Sequence, residues 1–208
     1  MISVEDAQAL CLDLVTLCRA EAVDLADALG RTLCAPIGAK RDQPPFSASA
    51  MDGYAVRNAA QGDTLTLIGE AAAGHGWGTE LQHGQTVRIF TGAPLPKGAD
   101  RVVIQENVEA SGDAITLTEP LGGNLNIRPQ GADFKKDFTL RGPRVLNAAD
   151  IALIAAMNQP NVQVARRPKV ALISTGDELV MPGGDPSPSQ IIASNVFALQ
   201  AMLRSAGA

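Results

Sequence analysis

The chain has 208 residues, 46% of them apolar, and a formal net charge of −5, so it can bury one or two cores and is too hydrophobic for a disordered segment. That acidic balance gives no electrostatic footprint for nucleic acid, and the basic pairs Lys135-Lys136 and Arg166-Arg167 are too short to track a phosphate backbone. No stretch approaches the roughly 20 apolar residues of a membrane helix, and Glu5 and Asp6 stand where a secretory leader would be basic, so no membrane partner and a cytoplasmic location are expected.

Aromatic residues make up only 3% of the chain against 20 Gly and 13 Pro, which predicts an aliphatic core and many turns between short elements. Cys11, Cys18 and Cys34 are expected to be buried, reduced thiols packing like small apolar residues. His75 and His83 have no Cys or His companion at metal-ligand spacing, so a zinc site is not expected.

The first element reads as a helix capped by Ser3, with Asp6 at capping-box spacing and Ala7, Leu10, Cys11, Leu14, Leu17 and Cys18 forming a stripe to be buried. A short second helix is expected from Asp24 to Gly30. Beyond Arg31, Pro44-Pro45 forces an extended path into about 90 residues of short strands. Thr64 to Gly69, Thr86 to Phe90, Arg101 to Glu106 and Ala114 to Thr118 are the candidate strands, with Ser111-Gly112-Asp113 as a hairpin turn. Helix returns at Asn147, where Asp150 allows reciprocal capping, and runs to about Asn158. Packed on the N-terminal helices, it would make the β-rich stretch an excursion from one discontinuous helical domain.

Lys169 to Ser174 is an apolar run without alternation, the pattern of a strand covered on both faces of a parallel sheet. A loop from Thr175 to Gln190 and a helix from Ser194 to about Ala206, stopped by Gly207, follow it. One strand, one loop and one helix are too little to bury such a strand, so a longer polypeptide or a docking chain is expected.

Four loop segments carry more polar groups than turns alone require. Asp52 precedes Gly53, which fits a turn residue bonding its own backbone, or a carboxylate presented on a rigid loop to a hydrated cation. Tyr54 reads as a packing residue. Thr91-Gly92 follows a candidate strand and reads either as a turn fixed by Pro94 and Pro96 or as a hydroxyl and open amide forming an anion perch. Asp133 alone reads as a solvated acid. Asp177 and Glu178 stand at the carboxyl end of the candidate parallel strand, where open α/β sheets place ligands, though one of them can equally be a helix cap. Glu106 ends another candidate strand and fits a functional acid or an exposed terminus.

Taken together and in order, Pro44-Pro45-Phe46, Ser-Ala-Met-Asp-Gly-Tyr-Ala at 49–55, Thr-Gly-Ala-Pro at 91–94, Gln105-Glu106 and Ser-Thr-Gly-Asp-Glu-Leu at 174–179 resemble the signature of the molybdopterin molybdenumtransferases, a family that includes the E domain of gephyrin. The resemblance runs from Ser3 to Ala208 and implies a multidomain α+β fold. Its parts would be a discontinuous helical dimerisation domain (1–45 and 138–166), a β-rich inserted domain (46–137) and the truncated start of an α/β, Rossmann-like, molybdopterin-binding domain (168–208). It also implies a homodimer whose cleft lies between the β-rich domain of one protomer and the α/β domain of the other. The implied reaction is Mg²⁺-dependent: molybdate is inserted into adenylyl-molybdopterin and AMP is released. The molybdopterin adenylyltransferase is an implied partner.

By the same resemblance, Asp52, Asp133 and Glu178 are the expected catalytic acids and metal ligands. Thr91, Gly92, Thr175, Gly176, Asp177, Ser194 and Asn195 are the expected substrate contacts. The chain departs from the family at Ser47-Ala48, where Asp-Asn is usual, at Pro129, Gln130 and Ala132 within an Arg-Arg-Arg-Gly-Glu-Asp segment, and at Ala193, where Asp is usual. Lost cations lower the field that holds a polyanion and lost carboxylates weaken metal binding. The alternative is therefore a dimeric binding or scaffold module of the same fold whose catalysis has lapsed.

Overall fold

The structure is a computed structural model that describes residues 2–16 and 18–208. In chain order its main elements are α1 (Val4–Asp13), β1 (Ala20–Asp24), β2 (Thr32–Leu33), β3 (Ile37–Gly38), β4 (Ala48–Ser49), β5 (Gly53–Val56), β6 (Thr64–Ala71), β7 (Gln85–Ile89) and β8 (Arg101–Ile104). There follow β9 (Val108–Ser111), β10 (Ala114–Leu117), β11 (Ile127–Arg128), β12 (Thr139–Leu140), β13 (Arg144–Val145), α2 (Ala148–Ala156), β14 (Asn161–Ala165), β15 (Leu179–Val180), β16 (Ile191–Ile192) and α3 (Asn195–Ser205). Two compact units result, one of Met1–Ile37, Leu140–Ala155 and Gln159–Ala208, the other of Gly38–Thr139 and Ala156–Asn158. The architecture is strand-rich with few helices.

In the first unit the N-terminal and returning segments meet through a four-stranded sheet, order β1-β14-β2-β13, rather than through packed helices. In place of the expected helix from Asp24 to Gly30 there is the last residue of strand β1, Asp24, and a single 3-10 turn, Leu25–Asp27. Its competitor for the backbone was out of sight in the local sequence: Ala20 to Asp24 pair antiparallel with Ala165 to Asn161, and Leu25 donates its amide to the Pro160 carbonyl at 2.8 Å. Val162 and Val164 alternate inward from β14 and are buried.

The start of α1 follows expectation, since the Ser3 hydroxyl accepts from the Asp6 amide at 3.0 Å. Its burial does not. No residue of α1 is buried, Leu10 and Leu14 are exposed, and Cys11, Cys18 and Cys34 are all exposed free thiols rather than core residues. The stripe gives the helix an apolar face, but no described element covers it. Leu17, expected on that stripe, lies outside the described residues. For α2 the reciprocal cap is present: the Asp150 amide donates to Asn147 Oδ1 and the Asn147 amide to Asp150 Oδ2, each at 3.0 Å. Asp150 is buried and its other oxygen pairs with Arg144 at 2.8 Å.

Lys169 to Ser174 forms no strand, and no described segment pairs with its amides and carbonyls. Parallel pairing occurs nearby between β15 and β16, Leu179 opposite Ile191, and α3 follows with Gly207 at φ +97 beyond its end.

The second unit is built on a six-stranded sheet, order β8-β5-β7-β6-β10-β9. The four strands expected from the sequence are β6, β7, β8 and β10, and Ser111-Gly112-Asp113 turns between β9 and β10. β6 and β7 are parallel, with an irregularity between Leu67 and Glu70, and the other pairings are antiparallel. Residues of opposite parity form two clusters: Ala55, Val87, Ile89 and Val102 on one side, Val56, Leu65, Val103 and Leu117 on the other. Burial on both faces explains why β5 is apolar at every position.

Candidate functional site

The segment Ser49 to Asp52 is held at both ends. β4 pairs with β11, Ser49 opposite Ile127, and the chain re-enters the large sheet at Gly53, opposite both Ile89 and Ile104. A Cβ at Gly53 would lie 2.0 Å from the Val103 carbonyl oxygen, so only glycine lets β5 approach β8 this closely. The Ser49 hydroxyl donates to the Met51 carbonyl at 2.6 Å, and the Gln105 amide donates to the Asp52 carbonyl at 3.2 Å. That last bond ends β8 at Ile104, two residues before the expected Glu106.

Asp52 is therefore a carboxylate on a fixed, exposed loop. Thr91, which follows β7, donates both its amide and its hydroxyl to Asp52 Oδ1 at 2.8 Å. Gly92 gives its amide to the Ser49 carbonyl at 2.9 Å. The anion perch expected at Thr91-Gly92 is thus filled from within the protein, and its anion is the Asp52 side chain. The Thr91 amide, then the Thr91 hydroxyl, hold the Asp52 carboxyl below the usual carboxylate range, with a smaller contribution from Arg88. Asp52 is ionised at neutral pH, and its Oδ2 accepts no hydrogen bond from the described residues.

Arg88 is a site neighbour that the sequence reading passed over. It sits opposite Tyr54 in the β5/β7 register, its guanidinium carbon lies 4.9 Å from the Tyr54 ring centroid and 5.2 Å from that of Phe90, and it donates to Gln105 Oε1. Gln105 in turn donates to Glu106 at 3.1 Å. A cation between the apolar Val87 and Ile89, three residues before Thr91, was the available signal.

Asp133 belongs to the same unit. Its amide donates to the Gln43 carbonyl at 2.8 Å, and one carboxylate oxygen accepts from Arg128 on β11. The β4/β11 pairing thereby joins the Asp52 loop to the Asp133 loop. At the departing positions, the Gln130 side chain donates to Asp42 at 2.7 Å and its amide reaches the Ser47 hydroxyl at 3.3 Å. These two residues brace the loops against each other where the family usually carries charge.

In the first unit, Thr175, Ser194 and Asn195 line one cavity of about 290 Å³ together with Leu172, Ile191 and Ala193. The Ser194 hydroxyl does not cap α3. Gly176 and Asp177 are exposed and lie off this lining. The Glu178 carboxylate folds over Gly176 so closely that a Cβ there would stand 2.5 Å from both of its oxygens. Ala193, where the family usually has Asp, is buried and donates its amide to the Val180 carbonyl at 2.8 Å. Among the described residues no group of three or more His, Cys, Asp or Glu side chains is arranged to hold a metal ion. No described helix is long and apolar enough to cross a membrane.

An ionised, exposed carboxylate clamped by a threonine and flanked by a fixed guanidinium, on a strand-rich unit, equips a surface for a hydrated cation or an oxyanion-bearing ligand. Residues 2–158 match the family described as the MoeA N-terminal region (domain I and II). The chain is 43% identical over 197 residues to a molybdopterin molybdenumtransferase of Nostoc sp., covering 90% of this chain and 45% of the relative. It is 35% identical over 208 residues to one of Haemophilus influenzae, covering 98% of this chain and 52% of the relative. A crystal structure of a molybdopterin biosynthesis MoeA protein from Pyrococcus horikoshii aligns with a TM-score of 0.87 at 32% identity, over 100% of this chain and 55% of that one. The chain belongs to the MoeA family. It spans about half the length of the curated relatives it matches.

Proposed function

We propose that this chain acts in molybdenum cofactor biosynthesis, as part of a homodimeric molybdopterin molybdenumtransferase that inserts molybdate into adenylyl-molybdopterin and releases AMP. In this reading residues 1–45 with 138–166, 46–137, and 168 onward serve as dimerisation, β-rich and α/β pterin-binding domains. The family membership supports this reading, and the clamp of Thr91 on Asp52 is the observation in this structure that supports it. Thr91 fixes one carboxylate oxygen and keeps the group ionised, so the other oxygen, which accepts no hydrogen bond from the described residues, is left for a ligand.

The donor chemistry fits magnesium, a hard cation that prefers oxygen and keeps several waters when bound by one or two carboxylates. Asp52 and Asp133 would hold the hydrated ion, each having an oxygen free of described partners, and Glu178 would contact the metal or the pterin. When bound there, the metal supplies charge neutralisation at the phosphoryl oxygens as the pyrophosphate link opens. Gly92, by fixing the Ser49 loop, and Thr175, Gly176, Asp177, Ser194 and Asn195, in the segments flanking β15 and β16, complete the substrate contacts of this proposal.

The test is AMP release from adenylyl-molybdopterin by the full-length protein with molybdate and Mg²⁺. Asp52→Asn is expected to slow release by about two orders of magnitude or more, since several kcal/mol of charge stabilisation are lost. Absence of AMP release by the wild type overturns the enzymatic reading. The buried methyl of Ala193 favours a second reading, a binding module without turnover. Calorimetric binding of molybdopterin without any AMP release would select it.

A further inference from the structure

We propose that the hollow formed by Arg19 and residues 166–169 is a binding site for a multiply charged oxyanion of the phosphate class, made from none of the residues assigned above. The β1/β14 ladder creates it. Ala20 pairs with Ala165, and the ladder continues one step further as Arg166 donates its amide to the Arg19 carbonyl at 2.8 Å. Two arginines therefore stand directly opposite each other at the end of an antiparallel pair, an arrangement that like-charge repulsion disfavours unless something neutralises it.

Nothing described in the protein does so. Arg167, Lys169, Pro168 and Cys18 line the same hollow of about 370 Å³, and no carboxylate contributes to it. None of the four cations forms an ion pair or side-chain hydrogen bond with a described residue. Glu21, the acid two residues along β1 from Arg19, is engaged by Arg31. Four unpaired cations in one hollow of a chain with net charge −5 form a local field opposed to the global one.

Guanidinium forks match the oxygens of a phosphate bidentately, and the lysine adds a point charge. A monovalent ion leaves most of this charge uncompensated, whereas a diphosphate can meet several of the cations at once. The backbone ladder and Pro168 hold the segment in place before a ligand arrives.

Cys18 supplies the readout, because it lines the hollow and is exposed, while Cys11 and Cys34 are exposed thiols outside it. Alkylation of the three cysteines by neutral iodoacetamide is followed by mass spectrometry while inorganic pyrophosphate is titrated at constant ionic strength set with NaCl. At saturation Cys18 is expected to react about tenfold more slowly, since occupancy covers the thiol, with Cys11 and Cys34 unchanged. The protein's melting temperature should rise over the same concentration range. Both effects should vanish in the Arg19→Gln/Arg167→Gln variant, whose circular dichroism should match the wild type. Equal slowing at Cys34, no slowing at Cys18, or protection that persists in the variant each overturns the proposal. Because AMP release is not part of the readout, its failure leaves the proposed transferase activity standing, and the reverse holds equally.

Discussion

The large sheet and the stretch from Lys169 to Ser174 carry similar apolar sequences and meet opposite fates. In the sheet, Val87, Ile89 and Val102 are fully buried between paired strands. In Lys169 to Ser174, Ile173 is 85% exposed and no strand forms. The difference teaches that an apolar run specifies a strand only where another segment satisfies its amides and covers its side chains. The sharpest way to break this comparison is to truncate an isoleucine in each region. Ile89→Ala should cost about 2–5 kcal/mol, the transfer term plus a cavity between packed strands. Ile173→Ala should stay within about 0.5 kcal/mol, as for exposed positions generally. Urea unfolding followed by circular dichroism measures both, and equal costs would mean that Ile173 is covered after all.

Next in size is the close approach that positions the candidate site. Gly53→Ala places a methyl 2.0 Å from the Val103 carbonyl oxygen, and backbone cannot swing aside as a side chain would. A loss of about 1–3 kcal/mol is expected from overpacking. Fluorescence of Trp77, which packs against the same sheet, reports it. A neutral outcome would show that β5 and β8 can separate freely. The local counterpart in the other unit is Asn147→Ala, which removes half of a reciprocal cap and should cost about 1 kcal/mol in thermal or chemical unfolding.

These positions also divide what sequence reading could reach from what it could not. The Asn147/Asp150 cap, the Ser111-Gly112-Asp113 turn and strands β6, β7 and β10 are set by residues within a few positions of one another, and they were legible. The identity of β1 was not: its ladder partner lies about 140 residues downstream, and its last residue, Asp24, reads locally as the start of a helix. The cysteines were misread for a related reason, because apolar spacing shows which face would be buried but not whether a partner is present to bury it. At the site, Asp52 and Thr91 were each legible as functional candidates, while the bond between them was not. Thirty-nine positions separate them, and only the β5/β7 register brings them together.

That bond yields the smallest expected effect and the most direct test of the clamp. The two Thr91 donors depress the Asp52 pKa, so the ionised side chain contributes stability that is fully present above the unfolded-state value of about 3.9 and is lost as pH falls through the lower folded value. Thr91→Val deletes the hydroxyl donor but keeps the backbone amide. The Asp52 pKa should therefore move partway back toward the ordinary aspartate value, and the acid loss of stability should be smaller and complete at a higher pH. Thr91→Ser, which restores the hydroxyl, should bring both back. A carboxyl-carbon NMR titration of Asp52 reads the shift directly. If the valine variant titrates with the wild type, the hydroxyl is not holding the charge, and the backbone amide alone sets the ionisation of the carboxylate on which the proposed metal chemistry depends.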